Sequence, residues 1–174
     1  DELYAAIFEA CGRPASILDL ACGLNPLYLG SRGFSVRGVE VHGGVAAFVN
    51  EWAAAAGWDV SVQCLDLMAF PPLPRCELAL MMKLMPILET ERKGSAMALL
   101  RSVPAARVAV SFPTRTLGGR GVGMERHYGE WFERNLPPDR RIVTRILLPG
   151  ELTYVVEEAA SCPSCTSWRH RSET

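Results

Sequence analysis

The sequence has almost no lysine: sixteen of its eighteen basic residues are arginine, and only Lys83 and Lys93 are not. Codon usage alone produces such a bias, so it carries no argument by itself. No apolar run reaches the roughly 18 residues of a transmembrane helix, so no membrane span is expected. No internal repeat or low-complexity block appears, which excludes a solenoid and a disordered chain. The first residues, Asp1-Glu2-Leu3-Tyr4, carry neither an initiator Met nor the basic and apolar start of a secretion signal. A cytoplasmic, reducing compartment is therefore expected for the six cysteines. Four of them, Cys11, Cys22, Cys64 and Cys76, lie in apolar runs, where cysteine serves as a small core hydrophobe. Cys162-Pro-Ser-Cys165 with His170 has the spacing of half a zinc site. The second pair that a four-ligand site needs is missing, so a tail without metal is expected.

What the chain does have is enough for one domain. Its 174 residues are 49% hydrophobic and 21% charged, and at that size a fold buries roughly 70% of the extended-chain surface without staples. Net charge is −1, but the average conceals an asymmetry. Residues 1–90 hold five basic and ten acidic side chains, residues 91–174 thirteen and nine. Within 101–145 nine arginines face four acids. A solvated helical face and a phosphate-binding surface both fit this clustering.

Apolar strand-like runs alternate with helix-like stretches. Strands are expected at Ala15–Leu20, Val36–Val41, Val60–Leu65, Glu77–Met82, Arg107–Phe112, Ile142–Leu148 and Leu152–Val156. Pro149-Gly150 closes the last two as a hairpin. Helices are expected at Val45–Ala56, ending at Gly57, and at Thr90–Ser102 and Met124–Asn135. The alternation implies an α/β domain with a mainly parallel, doubly wound sheet and an antiparallel C-terminal hairpin.

The strongest local signal is Ile17-Leu18-Asp19-Leu20-Ala21-Cys22-Gly23-Leu24-Asn25-Pro26. A strand runs into a turn of small residues and then a helix start, so backbone can approach a ligand closely. The G-x-G-x-x-G spacing of dinucleotide-binding turns is absent. Glu40 closes the second strand, where an acid accepts hydrogen bonds from both hydroxyls of a ribose. Asp66 and Leu67 follow the third strand, where an adenine is bordered. Each acid alone reads as a solvated strand end; three in succession, under such a turn, read as a nucleoside site. A second stretch, Ser111 to Tyr128, follows the fifth strand. Its glycines, with Arg115 and Arg120, suit phosphate or base recognition, and Met124 suits contact with a flipped base. A flexible loop before a helix is the plainer reading of the same residues.

The 19–26 turn resembles motif I of S-adenosylmethionine-dependent methyltransferases, with Ala21 where that motif has its first glycine. Taken with Met81-Met82-Lys83-Leu84-Met85-Pro86-Ile87-Leu88-Glu89, and with Ser111 to Met124 followed by Tyr128, Trp131, Phe132 and Glu133, the chain resembles the 16S rRNA (guanine-1405 N7)-methyltransferases of aminoglycoside resistance. The likeness covers about residues 3–156. It implies a Rossmann-like class I methyltransferase fold with S-adenosylmethionine as cofactor and 16S rRNA of the 30S subunit as partner. It implies cofactor contacts from Asp19, Ala21, Cys22, Gly23, Asn25, Glu40, Asp66, Leu67, Lys83 and Leu84. It places Arg115, Arg120 and Met124 at the reacting guanine, and Arg92, Arg115, Arg120, Met124 and Arg126 against RNA. No metal, no membrane and a monomer are expected. The family carries a helical N-terminal docking region, of which residues 1–12 would be the last helix. Residues 13–157 would be the methyltransferase domain and 158–174 a tail.

The chemistry agrees with these residues. Guanine N7 carries an in-plane lone pair and no proton, so methyl transfer needs positioning rather than a general base. No Asn/Asp-Pro-Pro-Tyr/Phe tetrapeptide follows the fourth strand, as amine methylation would require; Met85-Pro86 stands there. No Pro-Cys stands there for a covalent mechanism either. His42 and His127 read as surface or helix-end histidines, Phe132 as core and Trp131 as core or contact. Two other functions remain beside rRNA methylation: a small-molecule methyltransferase on the same fold, and a truncated, non-catalytic cofactor- or RNA-binding domain.

Overall fold

All four residues of Ile17-Leu18-Asp19-Leu20 are buried, the pattern of a strand covered on both faces. A computed structural model describes residues 2–115 and 123–159 of the chain and places this strand, β1 (Ile17–Leu20), near the middle of a seven-stranded sheet. The other strands are β2 (Val36–Glu40), β3 (Val60–Cys64), β4 (Cys76–Met82), β5 (Ala105–Pro113), β6 (Arg140–Leu148) and β7 (Glu151–Glu158). Their order is β3-β2-β1-β4-β5-β7-β6. The first five are parallel; β7 runs antiparallel between β5 and β6. The expected doubly wound sheet with its antiparallel hairpin is therefore present, and Gly150 turns the hairpin at φ 94°.

Helices cover both faces. On one face α1 (Glu2–Cys11) and α2 (Asn25–Ser31) bury Ile7 and Leu29 with Ile17, Val36, Leu78 and Leu80. On the same side α3 (Gly43–Ala56) seats Ala46 and Val49 on Cys22 and Val62. It ends as expected at Gly57, left-handed at φ 68°. On the other face lie α4 (Met85–Glu91), α5 (Ser95–Ser102) and α6 (Met124–Asn135). They bury Leu88, Leu99, Leu100 and Phe132 against Leu18, Met81, Val110 and Phe112.

Three expectations change. The single helix at Thr90–Ser102 is two helices, α4 and α5. Arg92 is extended and Gly94 left-handed between them. The break is well bonded: the Glu89 carboxylate accepts from the amides of Gly94 and Ala96, and the Ser95 hydroxyl donates to the carbonyls of Leu88 and Arg92. These side chains cap both new helix ends, which a periodicity count does not register. Cys64 is exposed rather than core, because it ends edge strand β3. Finally, the arginines of 101–145 are not one surface. Arg140 is buried, donating to the carbonyls of Val103 and Ala105 at 3.1 and 3.3 Å. Arg107 bonds Glu157 and the Cys11 carbonyl. Both stand where β5 begins, at the opposite end of the sheet from the acids of the motifs.

Among the described residues no helix is long and apolar enough to cross a membrane.

Candidate functional site

Parallel strands that share a direction bring their ends to one edge, and the crevice outside the carboxyl ends is where such sheets take ligands. Asp19, Glu40, Asp66 and Lys83 all come to that edge, from β1, β2, β3 and β4.

Asp19 is 1% exposed. Its Oδ2 accepts from Asn25 Nδ2 at 2.7 Å, and Asn25 Oδ1 accepts from the Tyr4 hydroxyl at 2.7 Å. α1 thus reaches the site through a relay that motif reading did not include. Burial pushes the Asp19 carboxyl up to about 7, against the Asn25 hydrogen bond. Glu40 behaves oppositely. Burial works to raise it, yet the amides of His42, Gly23 and Val41 hold it below the ordinary carboxylate range. Its two oxygens accept from Gly23 at 2.9 Å and His42 at 3.0 Å. With the Val41 amide as a third donor, the carboxylate keeps only part of its four lone-pair sites for a ligand.

The turn between them is open. Ala21 is exposed and left-handed at φ 54°, a conformation that costs a side-chain-bearing residue about 1–2 kcal/mol. The glycine of the motif would sit there without that cost. Gly23 is also left-handed, with open space where a Cβ would be. Cys22 turns its side chain inward, so only its backbone belongs to the rim. Burial pushes its thiol up to about 12, with help from Asp19 and Glu40. Below it Gly38 is required: a Cβ there would come within 2.9 Å of both Cys22 Sγ and Val62 Cγ2.

Asp66 caps a 3₁₀ turn at Leu67–Ala69, accepting from the Met68 amide at 2.8 Å with one oxygen. Asp66 is exposed, and Leu67 is buried beside it. Arg92 lies over Phe70 at 5.6 Å, next to this turn. Lys83 is left-handed at φ 55°. Its amide donates to the carbonyl and the hydroxyl of Ser111, and its ammonium pairs with Glu151 at 3.0 Å. The sequence alone assigns neither Ser111, the first residue of the 111–128 stretch, nor Glu151 a role at the site, because their contacts with Lys83 are long-range. Leu84 is buried at the start of α4.

On the other side, Arg115 is exposed beside a cavity of about 630 Å³ that it shares with Glu125 and the hairpin turn at Leu147–Gly150. Met124 opens α6, half-buried. Arg126 is exposed and pairs with Glu130 at 2.6 Å. Arg120 lies outside the described residues, as do Cys162, Cys165 and His170. His42 and His127 are exposed, Phe132 is fully buried, and Trp131 packs edge-on against Phe112 at 6.2 Å. No group of three or more His, Cys, Asp or Glu is placed to hold a metal among the described residues.

A family model described as ribosomal RNA methyltransferase (FmrO) matches residues 1–155. The chain belongs to the FmrO family. A 16S rRNA (guanine(1405)-N(7))-methyltransferase of Serratia marcescens is 46% identical over 91% of this chain and 63% of its own length. One from Micromonospora rosea is 32% identical over 91% of this chain and 59% of its own. The solved structure of the 16S rRNA methyltransferase RmtF in complex with S-adenosyl-L-homocysteine superposes with a TM-score of 0.85 at 46% identity. It is matched over 91% of this chain and 62% of that one. This FmrO-family chain thus spans about three fifths of the length of these relatives. Its fold is that of class I methyltransferases, shared also with the more distant TehB from Haemophilus influenzae at a TM-score of 0.66.

Proposed function

We propose that this chain is the catalytic core of an S-adenosylmethionine-dependent enzyme that methylates N7 of a guanine in 16S rRNA of the 30S subunit, and so confers aminoglycoside resistance. The observation that carries the reading is the set of three acids on successive strand ends around an open turn of small residues, in a chain of the FmrO family.

The residues fit the cofactor. Glu40 keeps acceptor capacity for a ribose hydroxyl, and the exposed carboxylate of Asp66 suits an adenine amine. The open backbone at Ala21 and Gly23 suits the amino-acid end. Asp19 orders that turn through Asn25. When bound, S-adenosylmethionine supplies an electrophilic methyl group on a sulfonium.

Transfer of that methyl group to guanine N7 would break the carbon–sulfur bond, leaving a neutral thioether and the positive charge on the purine. No proton moves, so the chain needs no general base. Its work is to hold the purine, with Met124 against the ring and Arg115 and Arg120 on its O6 or on phosphate. A guanine inside a helix must first be extruded, at a cost of a few kcal/mol that backbone contacts offset. The enzyme works as a cytoplasmic monomer without metal.

The test has two arms. Calorimetry with S-adenosylmethionine measures the site on this chain alone. Purified 30S subunits with methyl-labelled cofactor measure transfer, and chain cleavage specific for N7-methylguanine locates it. Binding and transfer to a single guanine are expected. Label entering a small molecule but no 30S subunit would sink the reading. The chain's short span relative to its relatives favours one further reading, a core that binds cofactor but needs the remaining length for transfer. Binding without transfer is its signature.

A further inference from the structure

A groove on the helical face has no part in cofactor binding. It begins between α4 and α6. Tyr128 and Trp131 lie four and seven residues beyond Met124, on the same face of α6. They oppose Pro86, Glu89 and Thr90 of α4, with Phe112 as floor, around a cavity of about 200 Å³. The aromatic rings are fixed by one another: Tyr128 stacks on Phe112 at 5.3 Å, and Trp131 meets its edge. Glu89 and Trp131 also wall a second cavity of about 730 Å³, which continues between α5 and α6 past Lys93 to Arg101 and Pro137. The two cavities adjoin, with Glu89 and Trp131 as their shared wall.

Its chemistry is uneven in a useful way. The near end is aromatic and of a size for one planar ring. The far stretch carries two exposed cations, Lys93 and Arg101, the latter only loosely paired with Asp139 at 3.8 Å. Glu89, the one carboxylate in these walls among the described residues, has both oxygens turned to the amides of Gly94 and Ala96 rather than into the groove's cations. An aromatic platform followed by a cationic track is the arrangement that binds single-stranded nucleic acid, each stacked base contributing about 1–3 kcal/mol.

Building on the function proposed above, we propose that this groove takes the single-stranded RNA next to the target guanine. One neighbouring base stacks at Tyr128 and Trp131, and the following phosphates lie along Lys93 and Arg101. Extruding a base breaks its own pair and its stacking on both neighbours, and the groove offers an exposed neighbour a new stacking partner. The partner is thus RNA with locally free bases; an intact duplex is too wide for it.

The test uses the whole chain and a short fluorescent single-stranded RNA, alongside methyl transfer to 30S subunits. Trp131→Leu keeps apolar bulk but removes the stacking face, and Trp131→Phe keeps the face. Expected are about tenfold weaker RNA binding for Trp131→Leu, recovery in Trp131→Phe, and weaker binding with a shallower salt dependence in Lys93→Glu. Cofactor affinity and melting temperature should be unchanged in Trp131→Phe and Lys93→Glu. RNA binding equal to wild type in both Trp131→Leu and Lys93→Glu overturns the inference, and so does a loss in Trp131→Phe as large as in Trp131→Leu. A change of oligomeric state on Lys93→Glu, with RNA binding intact, would assign the groove to a second copy of the chain and also overturn it. The two proposals fail separately. Wild-type transfer to 30S with groove variants that bind RNA normally removes only the groove. RNA binding lost in the variants, in a wild type that methylates nothing, removes only the enzymatic reading.

Discussion

The two sides of the carboxyl edge are built differently. On the β1–β2 side the charged groups are acids, buried, and held by neutral donors, side chains for Asp19 and backbone amides for Glu40. Asp19 is held through Asn25 and Tyr4, and Glu40 through two amides. On the α6–β6 side the charged groups are arginines, exposed, and tied to movable carboxylates. Arg126 pairs with Glu130, and Arg145 with Glu125. Exposed pairs of this kind contribute little and exchange readily. A site for a small, invariant ligand gains from groups fixed in advance. A surface for a large polyanion gains from cations whose present partners are easily displaced.

Variants can break this comparison. The largest contrast lies between Arg120→Glu and Glu40→Ala. The first should abolish methyl transfer to 30S subunits and leave cofactor affinity untouched. The second should weaken cofactor binding by about 10- to 100-fold, since hydrogen bonds to a charged group contribute about 1.5–3 kcal/mol. Calorimetry reads both, and equal cofactor loss in Arg120→Glu would erase the division of roles. Next is Gly38→Val, which overpacks Cys22 and Val62 beneath the turn. It should cost about 1–3 kcal/mol in denaturant unfolding.

The buried acid should also leave a mark on pH dependence. Asp19 sits near 7 in the fold and near 3.9 in an unfolded chain. The folded state therefore binds the extra proton between those values. Its contribution to stability is complete below about pH 4 and is lost as pH rises toward 7. Glu40, held low, does the reverse in the acid range. The difference between wild type and Asp19→Asn isolates the first, and it should change between pH 4 and 7 and stay flat above. Smaller still, Ala21→Gly should gain about 1 kcal/mol by relieving a left-handed alanine. At the bottom, Arg126→Ala should leave the melting temperature unmoved and weaken 30S binding only at low salt.

The strands were legible because each is a short apolar run bounded by turn residues, and the parallel order followed from their alternation with helices. The acids of the site were legible for a related reason: a strand end is one position, and the acid occupies it. What escaped were side chains acting across distance. Tyr4 is twenty-one residues from Asn25, and Glu151 pairs with Lys83 across the sheet. The arginine count of 101–145 misled because position along the chain does not give the end of the sheet. Arg107 and Arg140 belong to the far end, inside packing. The break at Arg92–Gly94 was hidden because the capping residues Glu89 and Ser95 fit a continuous helix equally well.

The placement of β7 governs how this chain can be made. Among the described residues it is the last strand in chain order, yet it lies inside the sheet, between β5 and β6. Until residues 151–158 have left the ribosome, β5 presents a bare edge and Tyr154, Val155 and Val156 are missing from the core. Folding is then completed by the final pairing rather than along the way, and long-range pairing of this kind is slow and exposed to aggregation. A nascent chain stalled before Glu151 should be far more sensitive to protease than one released after Glu158.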